Sequence, residues 1–360
     1  MSSICTTFAL KFIFSMAKKG KKKGLRTLLV IVGGVIVVVA AVVYYFLFSS
    51  MTGKDKPQYV FIDSDDNIDS IYVKVQKESR SHPMKAFRWL CSMSSYPEHI
   101  KVGKYALEPD YGAYDVFVRM KSGDQATVHL YIPSVRTTER LAELIAKRML
   151  FSKDDLLAEL DNPTACKKYG FDTATVMCMF IPNTYDIYWD NTAQQFLERM
   201  KKESDRFWKG DREEQAKKIG LTPIEVITLA SIVNEETAKV DEMPKVAGLY
   251  MNRLHKDMLL QADPTVKFAH KNFGAKRIYK RMLTIDNPYN TYKYKGLPPG
   301  PIRNPEQAAI DAVLNYTHHD YLYMCAKEDF SGYHNFATTF AEHERNADRY
   351  AKALNERGIK

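Results

Sequence analysis

A chain of 360 residues with 45% apolar and 26% charged side chains has room for two or three domains and enough apolar material to build their cores, which excludes an intrinsically disordered protein. Its net charge of +9 would suit a nucleic-acid binder if the charge covered a folded surface. Residues 1–48 instead carry seven Lys or Arg and no acid, leaving 45 basic against 43 acidic residues beyond them, so nucleic acid is not an expected partner.

In chain order, residues 1–27 read as a basic cytoplasmic tail. Within it Met16 opens "MAKKGKKKG" and is the expected initiator, because nothing upstream is needed for topology. Residues 28–48, "LLVIVGGVIVVVAAVVYYFLF", are 21 uncharged positions, and about 20 helical residues cross a bilayer core. A cleaved signal peptide would have an apolar region of about 7–15 residues followed by a small-residue cleavage site. This segment is longer and ends in Tyr44, Tyr45 and Phe46, which suit a membrane interface. An uncleaved single-pass anchor is therefore expected, with the lysines holding the N-terminus in the cytoplasm and the remainder outside.

Residues 49–57, polar with Gly and Pro, read as a linker. Residues 58–160 read as a small membrane-proximal α/β region. "QYVFID" and "KVGKYALEPDYGAYDVFVRM" are strand-like on either side of a helix near Met84–Ser95. "QATVHLYIP" then alternates as a strand before the helical pattern of "TTERLAELIAKRML". Residues 161–360 are expected to form a mixed α+β domain, with an aromatic strand-like piece and an amphipathic helix from about Ala193. Of the five cysteines, Cys91, Cys166, Cys178 and Cys325 lie on the exported side without a C-x-x-C pair, leaving a disulfide or buried thiols open. His318–His319 lack the helical i, i+4 spacing of a metal motif, so neither metal nor cofactor is expected.

"LTPIEVITLASIVNEETAKV" opens with a helix-start signal: Thr222 to cap, Pro223 at the first position and Glu225 to complete a capping box. On a 100° wheel Val226, Ala230, Val233 and Thr237 make the core stripe. Glu235 falls on the far side with Thr228 and Ser231 and is expected to face solvent. Glu236 falls between Ile232 and Leu229, against apolar neighbours. Such burial disfavours the charged carboxylate and suits a proton donor, although an ion pair at the core edge would use the same placement. Downstream segments rich in Tyr, Asn, Pro and Gly suit a polar, aromatic-lined groove, and "GLPPGPI" reads as a fixed turn or a groove wall.

"LASIVNEETA", "KVAGLYMNRL", "MLLQADPTVKFA", "YNTYKYKGLPPGPIRNP" and "YLYMCAKEDFSGYHNF" occur in that order, and together they resemble the endolytic murein transglycosylases of the MltG/YceG-like family. The resemblance extends over about residues 178–350, with "FIPNTYDIY" and, in the membrane-proximal part, a LysM-like "KVGKYAL". It implies an α+β fold with one N-terminal transmembrane helix, a LysM-like module and a catalytic domain in a bacterial cytoplasmic membrane. Its implied reaction is cleavage of the MurNAc–GlcNAc bond of nascent peptidoglycan to leave 1,6-anhydro-MurNAc ends. The implied partners are glycan strands and the cell-wall synthesis machinery. The family's catalytic glutamate falls on Glu236, while the usual Glu-Lys-Glu-Thr reads Asn234-Glu235-Glu236-Thr237 here. Asp263, by pairing with Arg253, by orienting sugar or by capping a helix, and Asn290, Thr291, Tyr292, His334 and Asn335 are candidate substrate-binding residues. A water-using muramidase and a non-catalytic wall-binding scaffold are the competing readings.

Overall fold

The computed structural model describes residues 22–275 and 278–358. Met16 and most of the basic tail lie outside these residues. The chain divides into two compact units at Ala126/Thr127.

The first unit begins with α1, Lys22–Phe48, of which Arg26–Phe48 is long and apolar enough to cross a membrane. After it come β1 (Gln58–Ile62), α2 (Ile68–Glu78), α3 (Ser81–Ser92), β2 (Gly103–Leu107) and α4 (Ala113–Ser122), with β1 and β2 antiparallel. Two helices, rather than one, lie between the strands. Asn67 starts α2 by accepting from Asp69 N and Ser70 N, a cap that the apolar periodicity did not reveal. "AYDVFVRM" is helix and not strand, because Gly112 N donates to the Asp115 carboxylate and opens α4. Ile62, Ile71, Phe87, Tyr105 and Leu107 form the core.

The expected linker is partly built into this unit. Met51 is fully buried, its N–H donates to Tyr111 O, and its carbonyl accepts from Arg80 N. A two-residue gap therefore separates the end of α1 from the first buried position.

The second unit holds β3 (Thr127–Ile132), α5 (Thr138–Ala146), α6 (Lys153–Leu160), α7 (Pro163–Lys168), β4 (Asn183–Tyr188) and α8 (Ala193–Trp208). It continues with α9 (Asp211–Lys218), α10 (Pro223–Glu236), α11 (Met243–His255), α12 (Asp263–Ala269), α13 (Gln307–Leu314), β5 (Tyr323–Ala326), β6 (His334–Ala337) and α14 (Phe340–Glu356). The unit starts at 127 rather than at the expected 161 because β3 pairs with β4 over its whole length, Thr127 opposite Tyr188 through Ile132 opposite Asn183. One core joins that ribbon to α5, α6 and α8, and a second surrounds α10, α11 and α13. Asn304, fully buried, ties the ribbon to the loop before α13 by donating to Pro133 O and Phe180 O at 3.0 Å each. The β5–β6 hairpin packs on α14. Cys91, Cys166 and Cys178 are buried thiols and Cys325 is half-buried, with no disulfide among the described residues.

Candidate active site

Helix α10 starts as its sequence requires, with Thr222 accepting from Glu225 N and Glu225 returning to Thr222 N. Every residue from Val226 to Val233 is then buried, so the helix is covered on all sides. Thr228 and Ser231, on the expected solvent face, are 2% and 0% exposed. Ser231 Oγ accepts from Ile302 N at 3.0 Å, which seats the "GLPPGPI" turn on this face. Gly300 is required in that turn, since a Cβ there would stand 2.1 Å from Ala174 O.

Glu235 is consequently not the solvated neighbour expected from the wheel. It accepts two hydrogen bonds from Arg136, at 2.7 and 2.8 Å, and one from Arg303 at 3.0 Å, and its side chain is 12% exposed. Two guanidinium groups thereby fasten the end of α10 to the β3–α5 connection and to the loop before α13. Asn234 adds a third tie by accepting from Glu306 N at 2.8 Å.

Glu236 points the other way, into a cavity of about 430 Å³ walled by Tyr250, Arg253, Asp263, Tyr292, Tyr323 and His334, among others. It meets solvent through the cavity mouth while protein atoms crowd the carboxyl on its other sides. Burial raises its pKa from 4.5 to about 7. A hydrogen bond donated by Tyr250 Oη to Oε1 at 2.7 Å opposes that rise, and the nearby Asp263 charge adds to it. The group is thus poised to give and retake a proton near neutrality.

Of the other expected residues, Asp263, Tyr292 and His334 join Glu236 on the cavity wall. Asp263 is the first residue of α12 and makes no capping bond; it accepts from Tyr292 Oη at 2.6 Å. Arg253 does not pair with it. The guanidinium donates to the carbonyls of Leu259, Leu260 and Leu322 and to Gln261 Oε1, holding β5 and the segment before α12 against α11. His334 is oriented by buried Glu242, which accepts from His334 N and faces its Nδ1, both at 2.8 Å, and also accepts from Thr237 Oγ1 at 3.1 Å.

Asn290, Thr291 and Asn335 do not line the cavity. Asn290 is fully buried and donates to Leu283 O and Ile285 O while accepting from Tyr292 N. Thr291 Oγ1 accepts from Ala262 N and bonds Thr265 Oγ1. Both shape the loop that presents Tyr292 beside Asp263. Asn335 follows His334 on a strand, so the pleat turns it to the opposite face, where it donates to Glu328 at 2.7 Å. Sequence reasoning missed Tyr250, Tyr323, Phe340, His343 and Glu242. Tyr250 and Glu242 lie within or beside the quoted segments, but nothing in their spacing says which side chains turn toward Glu236.

An α+β scaffold holding one carboxyl poised near neutrality in an aromatic-walled cavity has the makings of an acid–base catalytic site. The model of the YceG-like family matches residues 60–349, and the chain belongs to that family. It is 29% identical over 314 residues to an endolytic murein transglycosylase of Bacillus subtilis, covering 82% of this chain and 85% of that one. An endolytic murein transglycosylase of Streptococcus pneumoniae strain D39 is 25% identical over 80% of this chain, which spans 57% of that longer protein. The crystal structure of a YceG-like protein of Listeria monocytogenes superposes with a TM-score of 0.53 at 27% identity, covering 81% of this chain and 99% of that one.

Proposed function

We propose that the chain is a membrane-anchored endolytic lytic transglycosylase that cuts the MurNAc–GlcNAc bond of nascent peptidoglycan and leaves 1,6-anhydro-MurNAc ends. The observation that carries this reading is Glu236, whose pKa near 7 keeps much of it protonated at neutral pH inside an aromatic cavity. Its proton passes to the glycosidic oxygen as the bond from that oxygen to the MurNAc anomeric carbon breaks. The C6 hydroxyl oxygen of the same MurNAc bonds to the anomeric carbon, and its proton returns to the Glu236 carboxylate. No water is consumed, so one carboxyl serves both halves. Asp263 supplies negative charge toward the oxocarbenium-like centre, Tyr292 holds Asp263, and His334, oriented by Glu242, hydrogen-bonds sugar.

The α1 span anchors the enzyme with its N-terminus in the cytoplasm and both folded units outside. The first unit's β1–α2–α3–β2 order with paired outer strands supports a LysM-like, glycan-binding module. A division between that module and the catalytic domain at Ala126/Thr127 follows the strand pairing better than one at 160/161. The working partners are glycan strands and the cell-wall synthesis machinery that makes them.

Asp263 on the same wall also favours, as a second reading, a hydrolase using two carboxylates. Mass spectrometry of digested glycan decides between the two, because anhydro ends are lighter than hydrolysed ends by one water. Anhydro products from the parent and about a thousandfold less from Glu236→Gln are expected; hydrolysed ends from the parent would overturn the transglycosylase reading.

A further inference from the structure

The aromatic rim at the outer end of α1 does not stop with the helix. Tyr44 and Phe48, 67% and 40% exposed, meet at a tilt of 32° with ring centroids 4.9 Å apart, and Phe48 meets Tyr114 of α4 at 5.7 Å. Tyr114 is itself 44% exposed. One helical turn on, Val118 is 40% exposed on the same face, and Lys121 follows it at the surface.

The junction holds this face beside α1. Phe46 and Leu47 pack against the core of the first unit. Tyr45 stacks on His82 of α3 at 5.1 Å with the rings 9° from parallel, and Ser49 Oγ bonds His82 Nε2 at 3.0 Å. Gly112 lies so close to α1 that a Cβ would stand 2.3 Å from Leu47 O. A chain that emerges from a bilayer and folds back at once onto its own last turn cannot carry α4 far from the headgroups.

We infer that α4 is a membrane-contacting surface: Tyr114 and Val118 enter the interfacial layer of the outer leaflet beside Tyr44 and Phe48, with Lys121 among the headgroup phosphates. A bilayer is the occupant that this surface fits, because its aromatic rings continue the span's own rim and an interfacial helix pairs such an apolar stripe with a cation. The inference rests on α1 being a membrane anchor.

The test reconstitutes the full chain in vesicles of phosphatidylcholine and phosphatidylglycerol, with or without bromine on carbons 6 and 7 of the acyl chains. Tryptophan is introduced singly as Tyr114→Trp, Val118→Trp and, on α2, Val73→Trp, which is 56% exposed and lies on a helix packed on β1 and α3. Brominated lipid is expected to remove at least half of the emission added at 114 and 118, and none of that added at 73. The inference is overturned if the additions at 114 and 118 resist quenching as that at 73 does while the chain stays with the vesicles through alkaline carbonate. Release by carbonate would instead refute the anchor, and this surface with it.

Discussion

The burial of Glu236 costs stability once the group ionises. Burial lifts its pKa from 4.5 to about 7, so the folded chain holds this proton more tightly than the unfolded chain does. Stability from this group is therefore greatest at acid pH and is lost as pH rises from the unfolded value through the folded one. By pH 8 the loss is on the order of 3 kcal/mol. Glu236→Gln should lower anhydro-product formation by about a thousandfold, the usual scale of a positioned general acid. The same variant should melt at a higher temperature than the parent at pH 8 but not at pH 4, as read by calorimetry. Tyr250→Phe tests the same carboxyl from the other side. The Tyr250 hydrogen bond lowers the Glu236 pKa, so its removal should move the alkaline limb of the pH–rate profile to higher pH. An unmoved limb would mean that some other group controls the proton.

At the scale of elements, the end of α10 is held by charge rather than by an apolar face. Glu235 joins α10 to Arg136 and Arg303, and its carboxylate is mostly covered. Glu235→Gln should lower unfolding free energy by roughly 1–3 kcal/mol in urea, the scale of a charge-assisted hydrogen bond, while anhydro products remain detectable. Complete loss of product with unchanged stability would instead place Glu235 in the chemistry. The 283–292 loop is held by the Asn290 amide, which has three backbone partners. Asn290→Ala should therefore cost about 1–3 kcal/mol of stability for the groups left unpaired, with KM changing less than kcat as Tyr292 loses its placement beside Asp263.

For the whole molecule, the topology makes a prediction independent of chemistry. With α1 as anchor, a protease added outside spheroplasts should digest the chain from the first exposed loop of the outer units. An epitope ahead of α1 should stay protected until the membrane is opened. Protection of the outer units would reverse the orientation. A membrane-held enzyme should also cut strands as they emerge near the bilayer, so releasing it from the membrane by replacing α1 with a cleavable signal should reduce cutting of newly labelled glycan more than cutting of purified sacculi.

Much of this was legible in local sequence because it depends on local physics. The apolar span needs only length and absence of charge, and α10 announces its start through Thr222, Pro223 and Glu225. That Glu236 is largely withdrawn from solvent could be anticipated, since Ile232 and Leu229 stand one and two turns before it on the helix. Its partner Glu235 was misjudged for a physical reason: a wheel reports which face is more polar, and α10 is buried on every face. What covers that face comes from Arg136, 99 residues earlier, and Arg303, 68 residues later. Asn290, Thr291 and Asn335 looked like sugar ligands because amides and hydroxyls serve loops and ligands with the same atoms, and only backbone position tells the uses apart. The sequence by itself determined the apolar span, the start of α10 and the place of Glu236 at the end of that helix. Tertiary structure alone decided the pocket around it, because Tyr250, Asp263, Tyr292 and His334 reach one cavity from α11, α12, a loop and β6, and no local rule brings those four together.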